Sequence, residues 1–161
     1  MPNVVSNTGP ILALANVEQF DLLRQLYSKV FIPPAVRAEV KDDISLAAIT
    51  SANWITIQTV KDELAVNLLR EELDPGESEA IILAKELSAD LVLIDDRAAR
   101  RKAQSVGLNV IGTLGILLLG KQNKHITLIQ PTLNRLRERG FRMSNDLYEQ
   151  VLKDASETKT D

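Results

Sequence analysis

The sequence predicts an α/β protein: an open, mostly parallel sheet with helices on both sides. Short apolar runs suited to strands alternate with helical patterns along the chain. Two of those runs, Leu91-Val92-Leu93-Ile94 and Asn109-Val110-Ile111, lack polar alternation, as expected of parallel strands covered on both faces. The 161 residues fit one domain, long enough for a real core, and contain no repeat, low-complexity tract or inner linker.

Taken in order, Val4-Val5 opens the sheet. In Ser6-Asn7-Thr8-Gly9-Pro10, which follows, Gly9-Pro10 makes a turn and a helix start. Lys29-Val30-Phe31-Ile32 is the second strand. Pro34 then suits the first turn of a helix through Ala35-Val36-Arg37-Ala38-Glu39-Val40. Trp54-Ile55-Thr56-Ile57 is the third strand. Asp74-Pro75-Gly76-Glu77 has an N-cap residue, a proline after it and a glutamate three positions on, and it starts a helix running to Leu87. Leu91-Val92-Leu93-Ile94 is the fourth strand, and Gly107 closes the helix that follows Asp96. Asn109-Val110-Ile111 is the fifth strand. Residues 113–155 read as a helical part, with helices over 114–121, 128–139 and 144–155, so the domain spans 1–155 and 156–161 is a frayed polar tail.

Composition narrows the chemistry. There is no cysteine, which excludes disulfides and thiol catalysis, and the single histidine, His125, sits in a polar stretch. A zinc site from His and Cys would have one ligand here, and a Ser-His-Asp triad would hang on that same loop-like residue. The net charge of −3 is unlike that of a protein dedicated to coating nucleic acid, so contact with RNA would use a local basic patch, acids clustered for metal, or both. Aromatics are only 4%, too few for a platform built on base stacking. No basic segment followed by an apolar stretch opens the chain, and no apolar run approaches the about 18 residues of a membrane span. A cytoplasmic protein is the expectation. Carboxylates remain as the bearers of hard chemistry.

Four places concentrate them. Leu91-Val92-Leu93-Ile94-Asp95-Asp96 delivers two adjacent carboxylates to the carboxyl end of a buried strand. Close like charges raise each other's pKa unless a cation joins them, and Mg²⁺ prefers carboxylate oxygens and water. The alternative is that Asp96 caps the next helix, or pairs with Arg100 one turn on. In Gly76-Glu77-Ser78-Glu79-Ala80-Ile81, neither glutamate falls on a plainly polar face. Glu77 has a structural task as the capping-box partner of Asp74; Glu79 has none, so Glu79 is the better functional candidate. Glu39 sits near the end of its helix, where the dipole disfavours an anion, and such local violations concentrate at functional sites. Asn7 either caps the first helix or offers a neutral oxygen to a metal or its waters.

The order of these residues resembles the PIN-domain nucleases, including toxin-type ribonucleases. Asn7 stands after the first strand, Glu39 on an early helix, Glu79 at the start of a mid-chain helix and Asp95 or Asp96 after a later strand. The likeness extends over nearly the whole chain and includes Ile32-Pro33-Pro34-Ala35-Val36-Arg37-Ala38-Glu39-Val40 and Val110-Ile111-Gly112-Thr113-Leu114-Gly115. It implies a three-layer α/β/α fold with a helical C-terminal extension. It also implies that Glu39, Glu79 and at least one of Asp95 and Asp96 converge in one cleft at the carboxyl end of the sheet. Those four acids would be catalytic and, with Asn7, would hold one or two Mg²⁺ or Mn²⁺ ions for RNA hydrolysis. Thr8, Arg97, Arg100 and Arg101, with Lys102 beside them, would grip RNA phosphates, unless they are simply a solvated helix face. The same likeness implies a homodimer restrained by a small antitoxin protein. The departure is Asn7, where active relatives carry aspartate. An amide there removes a negative charge, so the alternative is a weak or inactive PIN fold that binds RNA or a protein partner. Phosphorylation receivers and aspartyl phosphatases fit poorly: the chain after Asp96 is short and mainly helical, and Asn7 cannot form a phospho-intermediate. No Gly-Lys-Ser/Thr phosphate loop is present.

Overall fold

The computed structural model describes residues 3–158; Met1 and Pro2 of the chain start and residues 159–161 of the expected tail lie outside them. Five strands form one sheet: β1 (Val4–Ser6), β2 (Val30–Ile32), β3 (Ile55–Ile57), β4 (Leu91–Leu93) and β5 (Val110–Ile111). Each matches an expected apolar run. Every pairing is parallel, and the spatial order is β3-β2-β1-β4-β5. Val5 lies opposite both Phe31 and Val92, and Ser6 opposite Leu93. The chain lays β2 and β3 to one side of β1, then crosses back to lay β4 and β5 on the other. The crevice at the carboxyl ends of β1 and β4 is therefore a topological switch point, where neighbouring connections diverge and leave room for a ligand.

Ten helices cover the described residues of the sheet: α1 (Thr8–Asn16), α2 (Asp21–Tyr27), α3 (Pro34–Glu39), α4 (Asp43–Ser51), α5 (Glu63–Leu69), α6 (Pro75–Glu86), α7 (Arg97–Ser105), α8 (Thr113–Gln122), α9 (Gln130–Glu138) and α10 (Asn145–Asp154). Side chains alternate across the strands, so each face buries its own set. Val5, Val92 and Ile94 pack with Ile81, Leu83 and Ala84 of α6 and with Ala99 and Ala103 of α7. Val4, Val30 and Leu93 pack on the other face with Leu14, Leu22, Leu23, Ile116 and Leu117. Leu133 and Leu136 of α9 and Val151 and Leu152 of α10 extend that second core. The result is the three-layer α/β/α arrangement. Each fully buried Leu or Ile contributes about 1.5–3 kcal/mol of apolar burial, so packing holds even the three-residue strands in place.

The local signals work as physical devices. Asp74 accepts the Glu77 N–H at 2.7 Å while Glu77 accepts the Asp74 N–H at 3.1 Å, closing both halves of the capping box. Gly107 has φ +87°, the left-handed conformation that ends α7 without a Cβ clash. The helices α2, α4 and α5 carried no individual expectation; they are short and take their stability from the layers they cover. Glu157, expected in a frayed tail, is held against the fold. The Glu157 side chain is 3% exposed and pairs with Lys121 at 2.9 Å. It also accepts the N–H groups of Ile129 and Gln130 at the start of α9. Burial works against its charge, but these donors and the Lys121 ammonium hold its carboxyl below the ordinary value.

Candidate active site

At the end of β1, the Asn7 N–H donates to the Leu93 carbonyl at 2.9 Å, continuing the ladder to β4. Asn7 occupies the N-cap position of α1, yet its side chain makes no capping bond. It is 6% exposed, and its Oδ1 is buried without a hydrogen-bond partner. A buried acceptor left unpaired costs about 1–3 kcal/mol, so an orphan at a sheet switch point marks a place where an outside group satisfies it.

Glu39 is the last residue of α3, where the helix dipole opposes its charge. Its side chain escapes that end. It accepts the Gly76 N–H at 3.0 Å at the start of α6, where the dipole favours an anion, and the Thr8 hydroxyl at 2.5 Å. Gly76 makes this possible: a Cβ there would stand 2.5 Å from Glu39 Oε2 and 2.7 Å from Oε1. Thr8, expected to touch RNA, is buried and committed to Glu39.

Glu77 is 8% exposed. Burial pushes its carboxyl up to about 7, against the hydrogen bond from the Asp74 N–H, and the negative charges of Asp74, Asp96 and Glu39 push it further. Glu77 therefore shares one electrostatic field with Glu39 from α3 and Asp96 from the β4 end. Glu79 is placed differently. Its Oε1 accepts the Ala35 N–H at 3.2 Å, capping the start of α3, and it lines a small hollow with Pro34, Glu63 and Arg70. Glu77 thus lies within reach of the charges of Glu39 and Asp96, while Glu79 holds the Ala35 N–H. Reading Glu77 as a capping residue concealed this, because the box that occupies its backbone also aims its carboxyl. The available signal was its lack of a polar helix face.

The two aspartates after β4 have separate tasks. Asp95 is half-buried; its oxygens accept the Thr113 N–H at 2.7 Å and the Thr113 hydroxyl at 2.6 Å, tying the start of α8 to the sheet. Gly112 leaves space for this, since a Cβ there would meet Asp95 Oδ1 at 2.8 Å and Arg100 Nη1 at 2.6 Å. Asp96 is exposed and caps α7 through the Ala99 N–H at 2.9 Å. Arg100 does not pair with Asp96; it donates to the Ile94 carbonyl at 3.1 Å. Arg97 and Arg100 line a cleft of about 940 Å³ with Asp95 and Asp96. Arg101 is exposed on α7 and outside that lining, and Lys102 pairs with Glu72 at 3.2 Å.

The family described as PIN domain, DUF3368, matches residues 3–157. The chain belongs to the PIN-domain family. Eight chains of known structure match this PIN domain. One is a PilT N-terminus domain protein from the hyperthermophilic archaeon Sulfolobus solfataricus P2, 20% identical, with a TM-score of 0.42, covering 71% of this chain and 89% of its own. No curated protein matches.

The fold of this PIN domain is of nuclease type. Among its described residues no three His, Cys, Asp or Glu side chains gather as a ready-made metal cluster. Nor is any helix of these residues long and apolar enough to cross a membrane. The donor set at the switch point still fits a divalent cation of the Mg²⁺ or Mn²⁺ kind. It consists of hard oxygens, it includes the orphaned Asn7 Oδ1, and its acids repel one another. Mg²⁺ keeps several waters and takes only one or two carboxylates, so a three-acid cage is not required.

Proposed function

We propose that this PIN domain is a metal-dependent endoribonuclease that hydrolyses RNA phosphodiesters. One observation carries the reading. The unpartnered Asn7 Oδ1 lies at the carboxyl end of β1, next in the chain to Thr8, whose hydroxyl binds Glu39, and the charges of Glu39 and Asp96 both act on Glu77. The residues to hold Mg²⁺ or Mn²⁺ are Asn7, Glu77 and Asp96, with Glu39 seated behind them. When bound, such a cation acidifies water and neutralises charge on the phosphate. With its carboxyl raised to about 7, Glu77 takes up a proton more readily than an ordinary glutamate, which eases repulsion in the empty acidic cluster. Asp95 positions the walls by fastening α8 to β4. Arg97 and Arg100 stand where a phosphate approaching Asp96 would meet them. The role of toxin in a toxin–antitoxin pair, as a homodimer restrained by a small antitoxin protein, rests on the likeness to toxin-type PIN ribonucleases.

A second reading, a weakly active or inactive PIN fold that binds RNA or protein, is favoured by the neutral amide at Asn7 and by Asp95 being spent on Thr113. One experiment separates the two. Melting curves with and without Mn²⁺, followed by cleavage of a labelled RNA, are recorded for the parent and for Asn7→Asp. Aspartate is nearly the same size but brings a formal charge, so the variant is less stable without metal and gains more from Mn²⁺ than the parent. Cleavage rises with it and stops on chelation. An equal Mn²⁺ shift in both proteins removes Asn7 from any metal site and sinks the catalytic reading.

A further inference from the structure

We infer that the loop joining α9 to α10, residues 139–144, forms part of the substrate path through Phe141 and Arg142 and holds unpaired RNA beside the acidic centre; this rests on the ribonuclease reading. Neither Phe141 nor Arg142 stood out in the sequence, because both belong to a helical extension far from the acids along the chain. In space they face the acids' own strand ends. The cleft of about 940 Å³ is lined by Asp95, Asp96, Arg97 and Arg100 and also by Phe141, Arg142 and Leu147. A hollow of about 600 Å³ continues from it, sharing Arg97, Phe141, Arg142 and Leu147 and adding Arg137. The two make one trough leading away from Asp96.

Its charge sets it apart from the rest of the molecule. A chain of net charge −3 places four arginines against two aspartates here. Among the described residues none of those arginines forms a salt bridge with a carboxylate. Two are held by other means. Arg100 is fixed on the Ile94 carbonyl. Arg137 lies over the Tyr148 ring at 4.1 Å and donates to the Ser144 carbonyl and to Asn145 Oδ1, both at 3.2 Å, which pins the loop. Arg97 and Arg142 remain exposed, one on α7 and one on the α9–α10 loop, with donors suited to phosphate oxygens. Between them lie two apolar surfaces: Phe141, half-buried against the core, and Leu147, 42% exposed.

Paired cations flanking an aromatic ring match the chemistry of an unpaired nucleotide, whose base stacks while its phosphates are held at the sides. An open trough with a single aromatic ring suits a strand whose bases are free to stack, which a duplex does not offer. The arrangement also explains why a protein poor in aromatics needs only one at this position.

The test measures binding in EDTA, where no metal-dependent cleavage occurs, by anisotropy of a labelled single-stranded oligoribonucleotide across a salt series. Arg142→Gln should weaken binding several-fold and lower the slope of log affinity against log salt by about 0.7, the share of one phosphate on a single strand. Phe141→Leu should weaken it about tenfold with the slope unchanged, since stacking is not ionic. Arg139→Gln, which removes the same charge from the same segment but outside the trough, should behave as the parent. Melting curves establish that each variant is folded; if Phe141→Leu is not, the Arg142 and Arg139 pair decides. The inference is overturned if Arg142→Gln keeps its affinity and slope, if Arg139→Gln loses as much, or if a duplex binds as well as the strand. Displacement of the strand by an equal concentration of an acidic peptide overturns it in favour of a protein site. A parent that cleaves RNA with Mn²⁺ while all three variants match it defeats the inference alone. A parent that neither binds nor cleaves defeats the ribonuclease reading, and the inference with it.

Discussion

Replacing Glu77 by glutamine tests the electrostatics of the site directly. In the folded protein burial and the neighbouring acids raise this carboxyl from 4.5 to about 7. In the unfolded chain it ionises at its ordinary value. Between those two pH values the unfolded state has released a proton that the folded state still holds, so stability falls as pH rises through the window. The contribution is fully present below about pH 4.5 and lost above about pH 7. A difference of about 2.5 units at 1.36 kcal/mol each sets its upper size at about 3 kcal/mol. Glutamine is neutral throughout and keeps an oxygen for the Asp74 N–H. At pH 5 the variant should therefore be within about 1 kcal/mol of the parent, the scale of a cap. At pH 8 it should gain about 3 kcal/mol relative to the parent. Urea denaturation at pH 5, 6, 7 and 8 reads this out as a growing separation of midpoints, about 1–2 M at the top for ordinary slopes. Titrating groups distant from Glu77 cancel in the difference because both proteins share them. Added Mn²⁺ at pH 8 should stabilise the parent and leave the variant nearly unmoved. Midpoints that stay parallel across pH would refute the argument, since they would mean that Glu77 is neither desolvated nor crowded by Asp96 and Glu39.

Gly76→Ala should unseat Glu39, because the new Cβ would stand 2.5 Å from its Oε2. Loss of charge-assisted hydrogen bonds, about 1.5–3 kcal/mol, outweighs the helix propensity gained, about 1 kcal/mol, so calorimetry should show a modest net loss and the Mn²⁺-induced shift should shrink; a more stable variant with a full Mn²⁺ shift would contradict the seating of Glu39. Glu79→Gln should change stability by under about 1 kcal/mol and leave the Mn²⁺ shift as it is in the parent, since its oxygen serves only the Ala35 N–H. A lost Mn²⁺ shift in that variant would return Glu79 to the site and remove the distinction between the two glutamates.

What the amino-acid order determined by itself was local. The apolar runs at Val4-Val5, Leu91-Val92-Leu93 and Val110-Ile111 became strands because β-branched and aliphatic side chains suit a sheet buried on both faces. The Asp74–Glu77 box and Gly107 ended and began helices where they stand, because capping involves neighbours a few residues apart. The acids at Glu39, Asp95 and Asp96 were also legible, since each sits at an element end and strand ends in such sheets face one side. Tertiary structure decided which of them meet. Glu77 and Glu79 are two residues apart on one helix and so point in different directions, one toward Asp96 and Glu39, the other toward the start of α3. Which direction faces the switch point depends on how α6 packs against α3 and β1, and no local rule contains that. The same holds for Phe141 and Arg142. They reach the acidic centre only because α8, α9 and α10 share one core with β1 and β4, and much of the energy that places them there comes from the packing of apolar residues such as Leu117, Leu133 and Val151.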